Sequence, residues 1–221
     1  MIKKLIYISF LILASCIAIP IRNYEIDKSV IKTNLFEKSI KILFFEDLRK
    51  GENINKTAYS FIPFFISGNF ELNFPESDGI SLNTPFKYYF ADILKKELEG
   101  NYNFKSIMLT DDKSIITDYT IKGEISKFYC ERKLYTYGLS FYGVLLWYLG
   151  VPAMANECEI ELKLDLMDSN NLEILSKVYS DKKIVYSGLY YNINNLDRVY
   201  SHLLKNIMNV IKSDIKKNMI E

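Results

Sequence analysis

Over residues 156–167, apolar and charged positions take strict turns. Cys158, Ile160, Leu162, Leu164 and Leu166 share one parity; Glu157, Glu159, Glu161, Lys163 and Asp165 share the other. A period of two predicts a strand with one face in the core and one in water. Residues 168–171 (Asp-Ser-Asn-Asn) have turn composition, and 172–180 return as an antiparallel neighbour. Residues 119–133 read as another long strand, and 104–109 as a short one. In 39–48, Ile40, Ile42 and Phe44 alternate with Leu43 and Phe45, so both faces are partly apolar, as suits a central strand. Residues 182–192, with Tyr186, Tyr190 and Tyr191, fit either a strand or an ordered loop.

Two stretches switch to the helical period. In 84–98 the stripe is Phe86, Tyr89, Phe90, Ile93, Leu94 and Leu98. Thr84 can cap it, Pro85 suits the first helical position, and Gly100 is expected to end it. In 195–217 the stripe is Leu196, Val199, Leu203, Ile207, Val210, Ile211 and Ile215, with Asn194 or Asn195 as cap and Asp197 in the first turn. The order is β-α-β-β-β-β-α. The first β-α-β is a crossover unit that makes its strands parallel. The fold class expected is α/β (α+β): a mixed sheet of about five strands with two helices packed on one face.

Two long segments do not follow this plan. Residues 49–83 form an unusually long connection containing an uncharged run with Phe61, Phe64 and Phe65, broken by Pro63 and Gly68. Pro75 and Asp78-Gly79 mark turns further on. Residues 134–156 carry no charge and hold Tyr135, Tyr137, Phe141, Tyr142, Leu146, Trp147 and Tyr148. Their length suits a membrane-spanning helix, but Gly138, Gly143, Gly150, Pro152 and the flanking strands oppose it. Burial as a hairpin or short helix is a second reading. The third is a loop that docks on a membrane or a protein partner through Phe61, Phe64, Phe65, Phe141, Tyr142, Leu146, Trp147 and Tyr148, because aromatic residues favour such boundaries.

Residues 134–156 are centred near 145, and in an antiparallel hairpin paired residues keep a constant index sum. A register pairing Cys130 with Cys158 also pairs Phe128 with Ile160 and Lys127 with Glu161, at the cost of Glu131 opposite Glu157. The early strand has the other parity, so a bulge near Ser126-Lys127 is expected, after which Ile125 meets Leu162 and Ile121 meets Leu166. The cysteines then face each other as a possible disulfide or as buried thiols.

Of the 221 residues, 28 are Lys or Arg and 27 are Asp or Glu. This near-neutral balance, without a local basic cluster, gives no field for nucleic acid. The sequence has no phosphate loop and no dinucleotide-binding glycine pattern. Its single histidine, His202, sits on a helix flank, and Cys130, Cys158 and His202 lack ligand spacing, so no metal is expected. The carboxylate pairs Asp111-Asp112 and Glu46-Asp47 read as solvated turns and strand ends, and the 138–143 segment departs from nucleophile-elbow spacing. The reading is a non-enzyme with no cofactor.

The N-terminus supplies a location. Lys3 and Lys4 precede an apolar run over 5–13 that is too short to span a bilayer, followed by Leu13-Ala14-Ser15-Cys16. These residues resemble a bacterial lipoprotein signal with its lipobox. The resemblance implies cleavage between Ser15 and Cys16 and acylation of Cys16. The organisation expected is a signal peptide over 1–15, a lipidated cysteine and tether over 16–37, and a single domain over 38–221.

Asp118-Tyr-Thr-Ile-Lys-Gly-Glu-Ile125, the aromatic run 137–152, Ile62-Pro63 and Pro75-Glu76 are similar to uncharacterised lipoproteins of spirochaete type. More distantly, the element order resembles auxiliary lipoproteins of ABC transporters, lipoprotein activators of cell-wall synthases and the curli secretion lipoprotein. The resemblance implies a palmitate-bearing protein on the periplasmic side of the envelope, at the outer membrane or the outer face of the inner membrane. It would be tied to lipid through Cys16 and would bind or scaffold a protein partner. The alternatives are an oligomeric membrane-inserting pore or secretion component, and a lipid carrier.

Overall fold

The computed structural model describes residues 24–26, 32–73, 85–112, 114–192 and 196–220. Ser15, Cys16, Pro75, Glu76, Asp78, Gly79 and the caps Thr84, Asn194 and Asn195 lie outside the described residues, as does the Asp197 side chain. The described strands are β1 (Thr33–Ile42), β2 (Glu46–Asp47), β3 (Ile54–Asn55), β4 (Ser67–Leu72), β5 (Tyr102–Leu109), β6 (Tyr119–Tyr135), β7 (Met154–Asp168) and β8 (Glu173–Ser187). The helices are α1 (Phe86–Asn101), α2 (Val144–Tyr148) and α3 (Leu196–Ile220). Short 3₁₀ turns occupy Thr57–Phe61 and Ser140–Gly143.

The fold is α+β around one mixed sheet, and that sheet has eight strands, not about five. The expected strands are all present. The additions come from the described part of the 49–83 connection, which holds the β3/β4 ribbon, and from β2, which resumes pairing after a gap of three residues beyond β1. The ambiguous stretch after Ser180 continues β8 as far as Ser187. β1 opens at Thr33, earlier than the alternation at 39–48 indicates, and a register shift between Leu35 and Ser39 accommodates the extra length.

β6 is the spine. Its first half pairs in parallel with β1 (Ile42 opposite Ile121) and β2, and its second half pairs antiparallel with β4 (Leu72 opposite Cys130). β7 runs along its other side for nearly its full length. Ile121 faces Leu166, Ile125 faces Leu162, the register shifts between Ile125 and Lys127, and Cys130 faces Cys158. This is the expected register with the expected bulge. The two cysteines are joined by a disulfide, with Cα atoms 4.1 Å apart. The unfavourable Glu131–Glu157 pair is bracketed by lysines: Lys133 lies 2.9 Å from Glu131, and Lys182 lies 2.5 Å from Glu157.

β1, α1 and β5 form the crossover unit, with β1 and β5 parallel. Phe86, Phe90, Leu94 and Leu98 of α1 share one core cluster with Ile40 and Ile42 of β1, Ile121, Ile125 and Phe128 of β6, and the even-numbered face of β7. Val199, Tyr200, Leu203, Leu204, Ile207, Met208, Ile211 and Ile215 of α3 complete it. Val210, placed on the stripe by periodicity, is exposed, while Tyr200, Leu204 and Met208 broaden the buried face. Gly100 does not end α1; Tyr102 does, by turning extended at the start of β5.

Candidate functional site

The two uncharged segments, far apart in the chain, meet at one end of the sheet. The reason is the β4/β6 pairing: Ser67 faces Tyr135, so the residues before β4 and those after β6 leave the sheet side by side. Backbone bonds then tie them together. Phe64 N–H donates to Gly138 O (2.9 Å), Gly138 N–H to Phe65 O (3.1 Å), and Tyr137 N–H to Ile66 O (2.9 Å). The Thr136 hydroxyl donates to Ser60 O, and that of Ser140 to Phe61 O. The Phe61 and Phe141 rings stack at 4.9 Å.

Two glycines let each segment fold closely on itself. A Cβ at Gly143 would come within 2.0 Å of Thr136 O, and one at Gly68 within 2.5 Å of Lys56 O. No side chain fits at either place.

A third uncharged segment joins from β8. The Tyr190 hydroxyl reaches Tyr148 O and that of Tyr191 reaches Gly150 O, each at 3.4 Å. Together the segments make a cap whose apolar side chains point outward. Phe64 is 92% exposed, Leu149 78% and Tyr142 77%. Ile62, Phe65, Ile66, Leu139, Phe141, Leu145, Tyr148 and Tyr190 are exposed with them. Scattered single apolar residues need no explanation, but a contiguous exposed group of this size marks an interaction surface.

The backbone carries strain here. Five non-glycine residues among those described have positive φ, and three are in the cap: Phe64 (72°), Tyr137 (58°) and Ser140 (53°). The other two are asparagines, which tolerate that region; a bulky aromatic such as Phe64 does not. Strain of this kind concentrates at functional sites. Burial, together with neighbouring tyrosines, pushes the Tyr135 and Tyr137 phenols up from the ordinary phenol range.

The residues singled out in the sequence divide into two groups. Phe64, Phe65, Phe141, Tyr142 and Tyr148 are exposed on the cap. Phe61, Leu146 and Trp147 are half-buried in its base. Trp147 is a strut, its indole N–H donating to Tyr135 O at 2.7 Å. Residues 134–156 are not a membrane span: they hold only short helical turns, and among the described residues no helix is long and apolar enough to cross a membrane. Periodicity passed over Ile62, Ile66, Leu139, Leu145, Leu149 and Tyr190. The available signal was the absence of charge, which extends over 184–192 as well.

Elsewhere the groups that could carry chemistry are occupied or apart. Asp47 holds Arg49, at 2.6 Å, with the guanidinium 4.3 Å above the Phe86 ring, beside a cleft of about 450 Å³. His202 is exposed on α3, and Asp111 and Asp112 are exposed in the turn before β6. Among the described residues no group of three His, Cys, Asp or Glu is placed to hold a metal ion.

No protein family matches the chain, and no curated protein matches it. Three solved structures resemble it in shape. The hypothetical protein CT253 from Chlamydia trachomatis is 7% identical at a TM-score of 0.43, over 81% of this chain and 95% of that one. A putative neuraminyllactose-binding hemagglutinin homolog from Helicobacter pylori is 8% identical at 0.40, over 88% and 92%. A PelC dodecamer from Paraburkholderia phytofirmans is 9% identical at 0.30, over 83% and 98%. Likenesses this remote carry no argument about this chain.

Proposed function

We propose that this protein is a lipid-anchored lipoprotein of the bacterial cell envelope, held through acylated Cys16 on the periplasmic side. It acts as a non-catalytic binding or scaffolding subunit and works through its cap. The observation supporting a binding role is the convergence of three uncharged segments on one exposed apolar surface, held in a strained backbone by the sheet beneath. The sequence supplies the anchor: a basic start, a short apolar run, then Leu13-Ala14-Ser15-Cys16. Anchoring confines the cap to the neighbourhood of one membrane, which raises its effective concentration toward whatever it binds there.

The test combines mass spectrometry of the N-terminus with co-purification from native membranes. We expect an acylated Cys16 and co-purifying envelope components that depend on Phe64. An unmodified Cys16, or a mature N-terminus elsewhere, overturns the anchoring. Co-purification unchanged by Phe64→Asp overturns the role of the cap. A large discrete ring in mild detergent would replace the scaffold with the pore-forming reading.

A further inference from the structure

The cap and the N-terminal chain leave the domain at opposite ends. α1 starts beside Phe45, whose N–H donates to Lys87 O (3.2 Å) and whose ring lies against Gly123 of β6. It then runs away from the cap toward Tyr102, which pairs with Thr33 at the start of β1. The N-terminal segment is fastened at that far end. The Tyr24 hydroxyl donates to Glu97 Oε1 (2.6 Å), and Lys32 Nζ donates to Glu99 O (2.6 Å).

From Ile121, which faces the end of β1, to Tyr135 at the base of the cap, β6 covers about 45 Å at roughly 3.3 Å per residue. Glu97 lies on the other side of Ile121, further still from the cap. Cys16 precedes Tyr24 by eight residues, a contour of at most about 29 Å when fully stretched. With Tyr24 seated on Glu97, the chain is too short for the cap to enter, tip first, the leaflet that holds Cys16.

The chemistry of the cap selects a lipid surface over a protein one. All three segments lack formal charge, so nothing on the cap must be neutralised or paired on entering an interface. Its tyrosines match the boundary between headgroups and hydrocarbon, and its phenylalanines the apolar side of that boundary. Lipid also demands that backbone polar groups be satisfied internally, and much of the cap backbone in the first two segments is paired in this way. Phe64, Gly138 and Tyr137 donate between segments, while Tyr142, Leu149, Gly150 and Val151 donate within their own turns.

We infer that the cap inserts into a second lipid surface, facing the one that holds the anchor, so that the protein bridges two membranes. This rests on the lipid-anchor reading of Cys16. The test uses the acylated full-length protein, extracted in mild detergent and reconstituted into vesicles of phosphatidylethanolamine and phosphatidylglycerol. Protein-free fluorescent vesicles of the same composition are then added and capture is measured by flotation. Trp147, the chain's only tryptophan, reports which membrane the cap enters, through quenching by brominated lipid placed in one vesicle population at a time.

We expect capture, quenching by brominated acceptor lipid, and a loss of capture of about tenfold or more on combining Phe64→Asp with Tyr142→Asp, since a carboxylate is costly in the apolar zone. The variant should stay in the donor vesicles. Quenching only by donor lipid overturns the inference, because the cap then lies in its own membrane. Absence of capture with Cys16 acylated also overturns it and leaves a protein occupant. An unacylated Cys16 defeats the anchor reading and the bridge together.

Discussion

Lys212 of α3 points its ammonium at Glu97 of α1, 2.6 Å away, with both side chains buried. The same carboxylate accepts from Tyr24, so one acidic group joins both long helices and the N-terminal segment. Removing one member leaves a buried charge without its partner, which typically costs about 3–5 kcal/mol. Glu97→Leu and Lys212→Met should each lower the unfolding free energy by that measure, seen as a lower urea midpoint with an unchanged slope. The double variant should recover much of the loss, since an apolar pair can replace a buried ion pair. Denaturant titrations of the four proteins test the cycle.

The Cys130–Cys158 bridge closes a sequence separation of 28 residues that contains the whole second segment of the cap. By chain entropy alone, a loop of that length contributes about 3.5 kcal/mol. Cys130→Ala with Cys158→Ala should lower stability by up to that amount. Because both sulfurs are fully buried, the native protein should resist alkylation after mild reductant until it unfolds. Mass spectrometry of alkylated samples across a urea series reads this directly.

Cap positions should separate into two classes. Tyr142→Asp changes an exposed side chain and should leave stability within about 0.5 kcal/mol, and Phe64→Asp, which puts a residue more tolerant of positive φ at an exposed position, should not lower it. Trp147→Ala removes a half-buried indole and its bond to Tyr135 O, and should cost about 2–3 kcal/mol. Thermal melts distinguish them. Equal destabilisation by Phe64→Asp would mean the cap is part of the core.

Asp118 accepts from both the backbone N–H (2.7 Å) and the hydroxyl (2.6 Å) of Ser39, ahead of the β1/β6 pairing. Those bonds hold its carboxyl below the usual carboxylate range. A carboxylate depressed in the folded state stabilises above its unfolded pKa, here near 3.8, and loses that contribution as pH falls through the folded value. Stability measured from pH 5 downward should therefore decline, and Asp118→Asn should flatten part of that slope. An unchanged slope would remove Asp118 from the acid response.

Sequence pattern carried the fold where neighbours in the chain are neighbours in space. Strict alternation over 156–167 and the cysteine positions were enough to place β6 against β7 residue by residue, including the bulge after Ile125. The β4/β6 pairing was not legible. Ser67–Leu72 is short and contains Gly68; Ser67, Asn69 and Glu71 alternate with Gly68, Phe70 and Leu72, but nothing in that pattern names a partner about sixty residues away. Without that pairing, Phe64 and Phe141 are two unrelated loop residues; with it they lie on one surface. The half-burial of Trp147 also depends on a tertiary bond, to Tyr135 O, that composition does not encode.

The division of β6 has a mechanical consequence. β1 enters from the end where the N-terminal chain is fastened, and β6 leaves toward the cap, with the two strands parallel where they meet at Ile40–Ile42. A pull between the two ends of the molecule therefore drives β1 and β6 past each other along their length. Hydrogen bonds across such a pair are loaded in shear, all at once, instead of being peeled open singly. β5 reinforces β1 on its other side, and β7 backs β6 over nearly its whole length. The domain is arranged as a tie bar along the axis from its N-terminal end to its cap.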